Sequence, residues 1–182
     1  MVQKKLASRS VRKEVSAKVE EPKIVGTTFT VLVTYAKLPG IEALHKKFPG
    51  REVPLLYDGR TWTRHASCAT IDETPGEREF IVADIPAEFC KQRVCSIENT
   101  LAEYLDRLGY RYAIETEAVE FADAQPDVLR ENWIFALGSS ASYRVDRQVA
   151  ELDALPGGSV LGGYYVVNFV YSARLLLVRK SA

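Results

Sequence analysis

The side chains best suited to chemistry are few and thinly spread. Three cysteines, Cys68, Cys90 and Cys95, and two histidines, His45 and His65, are the obvious nucleophiles and metal ligands. Neither histidine stands at a metal-binding spacing from a cysteine pair, so no structural zinc site is expected. Cys90 and Cys95 lack the two-residue gap of a redox pair and read as buried or incidental thiols. An odd number of cysteines fits a reduced, intracellular chain. Glu115, Glu117 and Glu120 cluster at a helix start, a spacing that permits acid–base chemistry. With no histidine nearby they read instead as a solvated helix end. No nucleophile elbow, Walker loop, dinucleotide fingerprint or zinc-protease helix motif occurs. The glycine pairs Gly157-Gly158 and Gly162-Gly163 have no Lys-Ser/Thr behind them and read as turns. The reading is therefore of a non-enzyme with no catalytic residue, metal or cofactor.

What remains is a contact surface. Between the second glycine pair and the end of the chain lie Tyr164, Tyr165, Val166, Asn168, Phe169, Val170, Tyr171 and Ser172, followed by the aliphatic run Leu175, Leu176, Leu177 and Val178. Tyrosine offers large rigid contact area at low entropic cost, and asparagine and serine offer adaptable hydrogen bonds. Four consecutive large aliphatics fit a strand buried on both faces. The tail thus reads as a core strand carrying a binding surface. That surface comprises Gly163, Tyr164, Tyr165, Val166, Asn168, Val170, Tyr171 and Ser172, with Tyr143 and Arg144 from a neighbouring loop. Phe169 is the expected core anchor. The plainer alternative is an internal strand with half of these side chains buried.

The elements that must hold this surface can be read in order. Residues 1–23 are basic, without an aromatic residue, and read as a flexible leader or a helix that docks on a partner. The β-branched residues of 24–38 predict a strand closed by Pro39-Gly40. Residues 41–48 suit a short helix, and 53–57 with 61–64 a hairpin about Asp58-Gly59. A strand follows over 79–85. The clearest helix starts at Ser96 as N-cap and stops at Gly109, with Ile97, Leu101, Tyr104, Leu105 and Leu108 on one face. A second helix begins after Thr116, with Ala118, Val119 and Ala122 inward, and is interrupted by Pro126. Residues 133–137 predict a buried strand ended by Gly138-Ser139-Ser140, and 147–152 a short one. Strands, two central helices, then strands again indicate an α+β fold. The expected division is leader 1–23, β-rich extension 24–78 and a principal domain over 79–182.

Composition excludes some classes. Lys+Arg and Asp+Glu both number 24, so the net charge is zero and a dedicated nucleic-acid binder is not expected. No apolar run approaches a membrane span. The first residues lack the apolar core of a secretory signal, which suits a cytoplasmic chain or one displayed by another route.

Two resemblances sharpen the reading. Gln125-Pro126-Asp127 resembles the calcium-dependent galactose motif of animal C-type lectins, but the downstream Trp-Asn-Asp and the disulfides are missing. The tripeptide suits a helix break, with Pro126 opening a further helical turn. The run 101–120, LAEYLDRLGYRYAIETEAVE, resembles a region of formylglycine-enzyme-like modules, a branch of the C-type lectin fold. The pattern from Trp133 to Ser139 with the terminal strand 174–179 is similar to variable proteins of diversity-generating retroelements. The resemblance covers roughly 79–180. It implies a C-type lectin-like fold with two central helices and small antiparallel sheets. It also implies a macromolecular, protein-class ligand held by a variable stretch at 162–172, with 174–179 as the invariant strand behind it. The formylglycine enzymes' catalytic cysteines have no counterpart near the C-terminus. A cysteine oxidase working through Cys68, Cys90 or Cys95, and a nucleic-acid accessory protein using the basic leader, are the rival expectations.

Overall fold

The computed structural model describes residues 23–36, 46, 62–86, 89, 94–143, 146–153, 162–165 and 173–181. The elements run β1 (Gly26–Val33), β2 (Trp62–Arg64), a 3-10 turn (Ala66–Cys68) and β3 (Gly76–Asp84). Then come α1 (Val94–Arg107), β4 (Tyr110–Tyr112), α2 (Glu115–Ala124) and α3 (Pro126–Glu131). β5 (Trp133–Tyr143), β6 (Asp146–Leu152), β7 (Gly162–Tyr165) and β8 (Ala173–Arg179) complete the described chain. This is a mixed α+β fold. Where several small sheets were expected, the eight strands join one sheet in the order β1-β3-β8-β5-β6-β7, with β2 on β5 and β4 on β8. Every pair is antiparallel except β5 with β8.

β8 lies inside this sheet between β3 and β5 with a core on each of its faces, which is why residues 175–178 include no polar side chain. Leu175 and Leu177 pack with Leu101, Leu105 and Tyr112 under α1, whereas Leu176 and Val178 pack with Val119, Phe121 and Leu129 under α2 and α3. The aliphatic run is buried on both faces, as its composition requires. Fully burying one such side chain contributes about 1.5–3 kcal/mol, so this strand is a principal source of the fold's stability. β1 pairs with β3 along its whole length and sends Val31 and Val33 into the same core.

The helices follow their patterns with shifted ends. α1 begins at Val94, so Ser96 lies inside the helix rather than capping it. Leu101, Tyr104 and Leu105 are buried on its inner face. The chain leaves α1 through Gly109, whose φ of 79° is the left-handed conformation that favours glycine. α2 starts at Glu115, and Pro126 opens α3 at its first turn. Gly138-Ser139-Ser140 do not end β5. The strand continues to Tyr143 through a register shift between Ala136 and Ser140, because β6 on one side and β2 on the other pair with its second half. Gly138 is needed there: a Cβ would sit 2.5 Å from the Ala113 carbonyl oxygen. Gly162 and Gly163 are strand residues of β7, paired with Glu151 and Ala150, not a turn. Among the described residues no helix is long and apolar enough to cross a membrane.

Candidate functional site

The register brings Tyr143 and Tyr165, two of the expected contact residues, to one end of the sheet. β5, β7 and β8 run in the same direction, so Tyr143, Tyr165 and Arg179 all stand at their C-terminal ends. β1 finishes there and β3, β4 and β6 begin there, so Tyr35, Arg78, Arg111 and Arg147 reach the same end. On the β5–β7 side, Tyr143 pairs with Asp146 next to the β5–β6 connection, while Gln148 stands between Ala141 and Tyr165. Tyr164 pairs with Val149 and Gly163 with Ala150, two buried core positions. Arg144, Val166, Asn168, Phe169, Val170, Tyr171 and Ser172 lie outside the described residues, as do the leader through residue 22 and the expected Asp58-Gly59 turn.

Two carboxylates buried beside this end hold it in shape, and neither was expected to do so. Glu117 is fully buried instead of solvated. Its oxygens accept from Arg111 Nη1 and Nη2 at 2.8 and 2.7 Å, from Tyr35 Oη at 3.0 Å and from the Ile114 N–H at 3.0 Å. The last of these is half of a capping box, since isoleucine at the cap has no side-chain acceptor to complete it. Burial opposes the Arg111 charge, but the bonds and charge of Glu117 outweigh it and hold its pKa above the ordinary value. Glu120 accepts from the backbone N–H groups of Thr34 and Tyr35 at 2.9 and 3.2 Å. Glu115 is also buried, its N–H donating to Ser139 Oγ at 2.8 Å. Through the Glu117 and Glu120 carboxylates and the Glu115 N–H, α2 is anchored to the chain just after β1, to β4 and to β5.

Tyr35 is the residue through which these anchors act. Its φ of 57° is a left-handed conformation that costs a non-glycine residue about 1–2 kcal/mol. Glu117, Glu120 and Arg78 all bind it. The Arg78 Nε donates to Tyr35 Oη at 3.3 Å, with the guanidinium 5.8 Å from the ring centroid. Burial, then the nearby Glu117 charge, pushes the phenol pKa up against the opposing Arg78 bond.

The second carboxylate, Glu98 on α1, takes both Arg147 Nη groups at 2.5 and 2.6 Å. This bidentate pair ties α1 to the start of β6, one residue from Asp146. Beside it, His65 Nδ1 accepts the Ser67 N–H at 3.2 Å and lies 2.7 Å from Ser67 Oγ. The proton on Nε2 then faces Asn99 Oδ1 at 3.1 Å. A hydroxyl beside an imidazole can support base catalysis. The bond from the Ser67 N–H, however, caps the 3-10 turn that follows His65, a structural role for the ring. Cys68 is fully buried, and its thiol donates to the Tyr112 carbonyl at 3.5 Å. Burial pushes its pKa up, with Ser67 and the charge of Arg111 opposing. A nucleophile needs the opposite shift.

Asp127 of the Gln-Pro-Asp motif sits on the exposed side of α3 and pairs with Arg130 at 2.5 Å. Among the described residues no cluster of His, Cys, Asp and Glu could hold a metal ion. His65, Glu98 and Arg147 are too far apart in sequence for spacing to reveal them. Arg111 and Glu117 are six apart across a turn, a spacing that does not by itself mark a buried pair. Compared with known proteins, the chain matches no family model, no curated protein and no solved structure.

Proposed function

We propose that the chain is a non-catalytic recognition protein that holds a macromolecular, protein-class ligand at the C-terminal ends of β5, β7 and β8. The contact is made by Tyr143, Arg144, Gly163, Tyr164, Tyr165, Val166, Asn168, Val170, Tyr171 and Ser172. The scaffold is of the lectin-like kind used by variable proteins of diversity-generating retroelements, with β8 as the unvarying strand behind a changeable 162–172. The register carries this reading: Tyr143 and Tyr165, 22 positions apart in sequence, stand near one end of adjoining ladders. The burial of β8 on both faces supports it further, because a strand so embedded can hold the fold while the segment before it changes. Aromatic anchors at the centre of such a patch supply most of the affinity.

A randomised library tests this. Codons for Tyr143, Arg144, Tyr164, Tyr165, Val166, Asn168, Val170, Tyr171 and Ser172 are varied on a display platform, and folding is scored by protease resistance. Most members stay folded, and members that bind a chosen protein are recovered. A library at Leu175, Leu176, Leu177 and Val178 mostly unfolds. Equal loss of folding in the two libraries refutes the reading.

A further inference from the structure

The same end of the sheet holds a small cationic cavity on the β3–β8–β4 side. It has a volume of about 240 Å³. Arg78, Arg111, Arg179 and Lys180 line it, together with the hydroxyl-bearing Ser67 and Thr70. Three of the four cations are braced from behind by carboxylates that do not line the cavity. Arg111 is held by Glu117 at 2.7 Å, Arg179 by Glu79 at 3.0 Å, and Lys180 by Asp106. Arg78 is different. Its guanidinium is fixed by neutral acceptors, namely the carbonyls of Thr74 at 2.7 Å and Glu77 at 3.1 Å and the Tyr35 hydroxyl.

The one acid in the lining, Asp72, has its Oδ1 engaged by the Thr74 N–H and hydroxyl at 2.9 and 2.6 Å. The cavity wall thus presents four positive side chains, three of them paired with carboxylates outside it, and one carboxylate whose Oδ1 is engaged by its own loop. The arginine forks match the geometry of a doubly charged tetrahedral oxyanion, and the hydroxyls supply further donors. Glu117 and Tyr35 fix Arg111 and Arg78 in advance, so little ordering is left for binding.

We infer that the cavity lined by Arg78, Arg111, Arg179 and Lys180 binds a phosphoryl group, either free phosphate or the end of a small phosphate monoester. This site is independent of the tyrosine-bearing corner and does not rest on the recognition reading.

Isothermal titration calorimetry of the full chain at constant ionic strength tests it, with sodium phosphate in one arm and glycerol 3-phosphate in the other. Saturable binding is expected in at least one arm. Tighter binding of the ester identifies a monoester ligand, and equal or weaker binding identifies free phosphate. Arg78→Gln and Arg179→Gln each weaken binding about tenfold or more, the usual loss for a charged hydrogen-bonding partner. Arg179 is exposed, so its variant stays folded even where loss of Arg78 disturbs the 72–75 loop. Arg130→Gln, on α3, leaves the affinity unchanged. No saturation in either arm by about 10 mM ligand overturns the inference. So does unchanged affinity in Arg179→Gln, or an equal loss in Arg130→Gln.

Discussion

Replacing Glu117 with alanine tests how the binding end of the sheet is held. The side chain is fully buried and accepts four hydrogen bonds, two from Arg111 and one each from Tyr35 and Ile114. Without it, the Arg111 guanidinium, 9% exposed, keeps the Tyr112 carbonyl at 3.0 Å but no longer faces its countercharge. Breaking a buried pair from one side costs about 3–5 kcal/mol, because a charge is left uncompensated. For a chain of this size each kcal/mol shifts the melting midpoint by about 2–4 °C, so Glu117→Ala lowers it by roughly 6–20 °C. Chemical denaturation measures the free energy directly. Arg111→Met paired with Glu117→Leu destabilises by less than the sum of the single changes, with a coupling of about 1–3 kcal/mol. A Glu117→Ala variant within about 1 kcal/mol of the parent, or strictly additive single and double variants, refutes the argument.

Two other predictions follow from the same geometry. Gly138→Ala forces a Cβ against the Ala113 carbonyl and loses about 1–3 kcal/mol, measured by urea unfolding. Burial raises the Glu151 carboxyl above its ordinary value, against the Trp133 indole bond that favours the ionised form. As pH climbs past 4.5 the unfolded chain gives up this proton before the folded one does, so stability falls through that interval and stays reduced at neutral pH. Glu151→Gln keeps an acceptor for the indole and removes the titration. It is therefore more stable than the parent at pH 7 and loses that advantage below pH 4.5, as seen in melts across pH.

Local sequence carried the parts of the fold that local rules govern. Leu175, Leu176, Leu177 and Val178 announced a strand buried on both faces, and Pro126 announced a helix restart. Leu101, Tyr104 and Leu105 marked one helical face. The failures share a cause, which is pairing between distant segments. Gly138-Ser139-Ser140 look like a strand end, yet β2 and β6 supply partners that carry β5 through them. Gly162-Gly163 look like a turn, yet β6 draws them into a ladder. Glu115, Glu117 and Glu120 look solvated because their partners are distant in sequence: Thr34 and Tyr35 just after β1, Arg111 on β4, and Ser139 on β5, which takes the Glu115 N–H. Composition points to Tyr143, Tyr164 and Tyr165, which fall on β5 and β7. Arg78, Arg111 and Tyr35 were not legible, because an arginine shows its role only when its neighbours are known.

The most direct measurement is the thermal unfolding of a chain with Tyr164, Tyr165 and Tyr171 all changed to alanine. If these rings serve a ligand and the core behind them stands without them, each change costs about 0.5 kcal/mol or less, and the midpoint falls by only a few degrees. If they are interior residues, each costs about 3–5 kcal/mol, and the total rivals the whole stability of a domain of roughly 5–15 kcal/mol. A cooperative transition within a few degrees of the parent is the predicted result. A chain with no cooperative transition contradicts it.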